Sequence, residues 1–93
     1  MSNNLRQIGK IFKAHGLRGD VKIYSNLHLV QFINSDDFIY INNDENYIPF
    51  NIKELKHFKK NSKILSFKEI DHIQKIENLI NCEIFYNNEK ILS

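Results

Sequence analysis

The sequence predicts a mainly β domain, a six-stranded antiparallel β-barrel with one short helix before its last strand. Two observations carry that reading. Apolar residues recur at a period of two in short runs bounded by Asn, Asp and Ser, whereas only the segment around residues 71–79 has helical spacing. No helix follows each strand, so a parallel βαβ sheet is excluded, and closure into a barrel hides the edges of strands this rich in isoleucine.

Residues 1–5 are polar apart from Met1 and Leu5 and are expected to fray. From Arg6 to His15 the chain alternates, with Ile8, Lys10, Phe12 and Ala14 on one face and Gly9, Ile11 and Lys13 on the other. Val21, Ile23 and Ser25 continue the pattern in a hairpin partner. The segment 26–35, with Leu27, Leu29, Val30, Phe32 and Ile33, reads as a helical turn or an irregular cover. Asp37 to Ile41 is a buried-strand candidate, and Asn42 to Asn46 a polar turn. Tyr47 to Phe58 reads as a long strand in which Pro49, lacking an N–H, marks the start or an edge. Lys56 to Ser62 reads as a basic turn, and Lys63 to Lys68 as a strand that sets Leu65 and Phe67 opposite Ile64 and Ser66.

Asp71 followed by Gln74 makes a capping-box pattern worth about 1 kcal/mol, and Ile73, Ile76 and Ile80 follow at helical spacing. Asn81 is placed to end that helix in the left-handed region. Cys82 to Tyr86 completes the strands. The barrel is therefore expected over residues 6–86, with 87–93 as the beginning of a linker.

A chain of 93 residues builds one core, burying roughly 60–65 % of its unfolded surface. Ile, Asn and Lys dominate at the expense of Leu, Gly and Arg, so lysine richness by itself says little about function and a retained Gly or Arg says more. A net charge of +2 permits a polyanionic partner without requiring one. The single cysteine, Cys82, excludes an intramolecular disulfide, fits a reducing compartment and reads as a small buried hydrophobe. With no apolar run of signal-peptide or membrane-span length, a soluble, cytoplasmic monomer with no membrane partner is expected.

Catalysis finds no residues to stand on. His15, His28, His57 and His72 are scattered without metal-ligand spacing, and the carboxylate pairs Asp36-Asp37 and Asp44-Glu45 fall in turns. No nucleophile elbow or phosphate-binding P-loop is present, and the glycines lack the dinucleotide spacing. The expectation is a protein that is not an enzyme and uses no cofactor or metal.

Two stretches stand out. All three glycines fall between positions 9 and 19, and Gly16 and Gly19 bracket Leu17 and Arg18 at a hairpin tip. Either the glycines only satisfy turn geometry, or the loop presents an apolar anchor beside a cation suited to carboxylate or phosphate. The second stretch sets five lysines, Lys53, Lys56, Lys59, Lys60 and Lys63, against Glu54 alone. It reads as a solvated strand face or as an edge that contacts RNA phosphates, with His57 and Phe58 available to stack on a base.

Gly9, then His15-Gly16-Leu17-Arg18-Gly19, Asp20 and Val21-Lys22-Ile23, resembles the signature of the RimM N-terminal domain family of bacterial small-subunit maturation factors. A weaker likeness continues through Phe32, Tyr40-Ile41, the strand ending near His57, Leu65 to Phe67 and the helical segment up to Asn81. The resemblance implies a six-stranded antiparallel β-barrel of the translation-factor type, usually followed by a second barrel of the PRC type that is absent from these residues. It also implies a non-catalytic, chaperone-like ribosome maturation factor. Its partner would be the precursor small ribosomal subunit, bound at the assembling head through a ribosomal protein and neighbouring rRNA, and it would assist rRNA processing and folding. On that basis His15, Gly16, Leu17, Arg18 and Gly19 form a ribosome-binding loop, with weaker phosphate contacts from the lysine stretch. The alternative function is an independent single-stranded-RNA-binding barrel.

Overall fold

The computed structural model describes residues 4–25, 31, 33–59 and 62–89. Its strands are β1 (Leu5–His15), β2 (Asp20–Ser25), β3 (Phe38–Asn43), β4 (Asn46–Lys59), β5 (Ser62–Phe67) and β6 (Glu83–Asn87). A 3₁₀ helix, Ile73–Leu79, lies between the last two. Every neighbouring pair is antiparallel, and the sheet closes in the order β1-β2-β5-β4-β3-β6.

Closure falls on β1, which pairs with β6 from Leu5 to Lys10 and with β2 from Gly9 to His15. Two irregularities let it turn from one partner to the other: Ile8 is the extra residue opposite Phe85 and Ile84, and Phe12 the extra residue opposite Ile23 and Lys22. Each bulge adds one residue and so shifts which side chains face inward. Ile8 and Ile11 are consequently both buried, and Phe12 turns outward onto Tyr24. Strict alternation, which groups Ile8 with Phe12, is corrected by the first bulge. At Gly9 the β2 backbone comes so close that a Cβ would fall on the carbonyl oxygen of Tyr24.

The interior is mainly isoleucine. Ile11, Ile23, Ile39, Ile41, Ile52 and Ile84 are fully buried, joined by Leu65, Phe67 and Tyr86, and the helix adds Ile76 and Leu79. Each such side chain contributes about 1.5–3 kcal/mol of apolar transfer free energy. Cys82 is half-buried against this core, and burial pushes its thiol up, as a small hydrophobe requires.

Several local expectations change. The polar turn narrows to Asp44 and Glu45, whose φ values of 56° and 68° are those of a two-residue turn matched to strand twist. Pro49 lies in β4 before its pairing with β5 begins at Ile52. Two residues on, the Asn51 N–H is met by the Glu69 carboxylate instead of a strand, so Pro49 lacks its N–H on a side that carries no ladder. The basic turn expected from Lys56 is instead strand, because β4 continues to Lys59 past a second outward irregularity at Phe58. The helix is capped by His72, whose Nδ1 accepts from the Gln74 N–H, and not by Asp71. Asp71 pairs with Lys75 at 2.9 Å, which holds its carboxyl below the usual range. Asn81 does take the left-handed conformation, at φ 71°. Residues 26–30 and 32 of the expected cover lie outside the described residues; Ile33 is buried.

The β1–β2 loop is clamped from below. The Leu17 carbonyl accepts a 2.8 Å hydrogen bond from Ile73, the first N–H of the helix. Gly19, at φ 91°, is buried under the next segment: a Cβ there would strike Ile70 and stand 3.0 Å from the His72 carbonyl oxygen. Gly16, at φ 75°, has open space around it. Gly16→Ala should therefore cost about 1 kcal/mol, the left-handed penalty alone. Gly19→Ala adds a collision and should cost about 3 kcal/mol, a difference read from urea-unfolding midpoints.

A second tie crosses the barrel wall. The buried Tyr86 hydroxyl donates to Asp37 Oδ2 at 2.7 Å, the same oxygen accepts from the Asn34 N–H, and the Asp37 carbonyl accepts from Ile52. Burial, then the bond and charge of Asp37, hold the phenol well above its ordinary value. The folded chain therefore keeps this proton while the unfolded chain loses it. The resulting stability is complete below about pH 10 and falls above it by up to about 1.4 kcal/mol per pH unit. Tyr86→Phe should flatten that alkaline fall and lower stability at pH 7 by about 1–2 kcal/mol, both measured by urea unfolding across pH.

Candidate functional site

The clamp fixes the loop backbone and leaves its tip in solvent. Leu17 is 73 % exposed, and Arg18 is exposed beside it. His15, grouped with them by sequence, ends β1 and is half-buried, with its ring edge-on to Phe58 at 5.9 Å. The five-residue motif thus divides into two glycines that shape the turn, two side chains that project and a histidine directed to the sheet.

Arg18 lines a cleft of about 200 Å³ together with Lys53 and Lys56 of β4. Two stretches far apart in sequence therefore meet. Asp20, Glu54 and Asp71 line the same cleft, and Glu54 lies 3.6 Å from the Lys56 ammonium. Three cations face three carboxylates, so the cleft is electrostatically balanced and suits a partner presenting both signs better than a bare phosphate.

The remaining lysines do not continue that edge. Lys63 Nζ bonds His57 Nδ1 at 2.9 Å, Lys59 reaches over the Phe58 ring at 5.3 Å, and Lys60 lies outside the described residues. The linear run is distributed over the cleft, the far end of the barrel and its outer face.

That outer face is a surface absent from the sequence reading. Across β1, β2, β5 and β4, one register row runs Lys13, Lys22, Ile64, Lys56, and the adjacent row runs Lys10, Tyr24, Ser62, Lys59. Phe12 stacks on Tyr24 with centroids 4.2 Å apart and planes at 18°. Phe58 lies under Lys22 Nζ at 4.4 Å. Ile64 is only 8 % exposed yet stands outside the barrel core. The Lys22 ammonium is pushed below its ordinary pKa by desolvation and then by Lys13 and Lys59. Among the described residues the ion pairs engage Lys56, Lys68 and Lys75, and Lys10, Lys13, Lys22 and Lys59 make none. The available signal was Lys22 and Tyr24 at strand spacing; the bulge at Phe12 concealed that the first strand joins them.

Among the described residues no helix is long and apolar enough to cross a membrane. The profile of the RimM N-terminal domain matches residues 6–91. Over 86 residues the chain is 28 % identical to the ribosome maturation factor RimM of Thermotoga petrophila, covering 90 % of this chain and 48 % of that protein. It is 22 % identical over 78 residues to that of Flavobacterium psychrophilum, covering 84 % and 45 %. The chain thus spans about half the length of these relatives. The barrel superimposes on a crystal structure of a 16S ribosomal RNA processing protein RimM from Pseudomonas aeruginosa with a TM-score of 0.76 at 20 % identity, over 91 % of this chain and 51 % of that one. It superimposes on the solution structure of the N-terminal domain of RimM from Thermus thermophilus with a TM-score of 0.73 at 14 % identity, over 92 % of both chains. The glycine-bracketed loop, the closed barrel that carries it and the profile match across residues 6–91 converge, and the chain belongs to the RimM N-terminal domain family.

Proposed function

We propose that this domain is a non-catalytic ribosome maturation factor domain that binds the assembling head of the small ribosomal subunit, through a ribosomal protein and adjoining rRNA. It works there as a monomer without a cofactor, assisting rRNA folding and processing. The observation that carries this reading is the clamped loop: a family motif whose backbone is held by Ile73 and by the packing of Gly19, with Leu17 and Arg18 left exposed. A preorganised loop loses little entropy on binding, and an apolar anchor next to an arginine is the pairing that concentrates binding energy. Lys53 and Lys56 add weaker contacts to phosphate, tempered by the carboxylates beside them. Such a domain biases assembly only by binding an immature conformation more tightly than the mature one.

The test is co-sedimentation of the purified chain with immature and with mature small subunits. Preferential pelleting with the immature particles is expected. Arg18→Ala should weaken it roughly tenfold, the worth of one charge-assisted contact, without moving the thermal midpoint. Unchanged pelleting of that variant removes Arg18 from the site.

A further inference from the structure

The outer face of β1, β2, β5 and β4 gathers cations that no carboxylate offsets. Lys13 and Lys22 stand directly opposite each other in the ladder, and like charges so placed destabilise a sheet. All eleven Asp and Glu residues lie among the described residues, yet none is ion-paired to Lys10, Lys13, Lys22 or Lys59. In their midst Tyr24 is 55 % exposed, backed by the nearly parallel ring of Phe12. The Phe58 ring holds Lys22 and Lys59 over itself.

An unshielded cluster of lysines calls for a partner with closely spaced negative charges, and an exposed, buttressed aromatic face calls for a flat ring to stack on it. A nucleic-acid duplex offers the charges but keeps its bases paired inside. An acidic peptide offers charges and a ring only where its own sequence happens to set them side by side, whereas RNA repeats one phosphate and one base at every residue. An unpaired RNA strand offers both.

We propose that this face binds single-stranded RNA, one base stacking on Tyr24 against its Phe12 support while Lys13, Lys22 and Lys59 take the neighbouring phosphates. From β1 to β4 the lysines span three strand spacings, about 14 Å, so the contact covers a few nucleotides and is indifferent to sequence. The surface is distinct from the Leu17–Arg18 tip, and the proposal does not rest on subunit docking. It gives the domain a hold on unfolded rRNA of its own.

The experiment is a fluorescence-anisotropy titration of a labelled twelve-nucleotide oligouridylate with the 93-residue chain at two salt concentrations. Binding should weaken with salt at a logarithmic slope of about −2, near −0.7 for each of the lysine contacts. Tyr24→Ala should weaken binding about tenfold and leave the slope in place. Tyr24→Leu, which keeps an apolar side chain on the strand, should do the same, guarding against a folding defect. The double substitution Lys22→Gln and Lys59→Gln should flatten the slope to less than half. Arg18→Ala should have no effect on oligouridylate, whatever it does to subunit pelleting. Absence of binding overturns the proposal, as do equal affinity for a twelve-base-pair RNA duplex, insensitivity to the Tyr24 variants, or a loss on Arg18→Ala matching that of Tyr24→Ala.

Discussion

One strand has to satisfy two partners. β1 reaches β6 with its first half and β2 with its second, and without that double engagement the sheet would end in two open edges instead of closing. A regular eleven-residue strand does not bend from one ladder to the other by itself. The extra residues at Ile8 and Phe12 supply the bend, and Gly9 between them removes the Cβ that would keep the β2 backbone away.

The surfaces follow from that geometry. The bulge at Phe12 ejects an aromatic ring onto the outer face, where Tyr24 receives it; the irregularity at Phe58 does the same on β4, and the ring gathers lysines. Inside, the same offsets keep isoleucines in register with the core. The loop that follows β1 inherits its position from the strand and its rigidity from the helix, whose first N–H it occupies. Loop, cleft and outer face are thus three products of closing one barrel.

Much of this was legible in the residues. Short-range signals read well: alternation, with one continuous apolar run at Phe38 to Ile41, locates all six strands, Gly16 and Gly19 locate the loop, and Asn81 announces the left-handed residue after the helix. What alternation cannot register is a single inserted residue, because each one inverts the inward and outward faces beyond it. Strict alternation therefore groups Phe12 with Ile8 and hides the face formed by Lys13, Lys22, Tyr24 and Phe58. The lysine run from Lys53 to Lys63 scatters for the opposite reason: neighbours in sequence are not neighbours on the surface, because β4 is long enough to carry them past several different environments. The helix begins at Ile73, one residue later than an Asp71 cap requires, so His72 holds the capping position and Asp71 pairs with Lys75.

β6 is inserted between β1 and β3, although it is made last of the six. While the chain is being synthesised, the β1–β2 and β3–β4 hairpins have only local turns to close, but the outer edges of β1 and β3 wait for a strand that emerges late. In that interval an isoleucine-rich nascent chain carries two unsatisfied backbone edges, the condition under which strands pair with the wrong chain. The bulges of β1 and its Lys10 and Lys13 then serve a second purpose: a kinked, charged edge is a poor template for a foreign strand, so the features that shape the finished surface also guard the unfinished one.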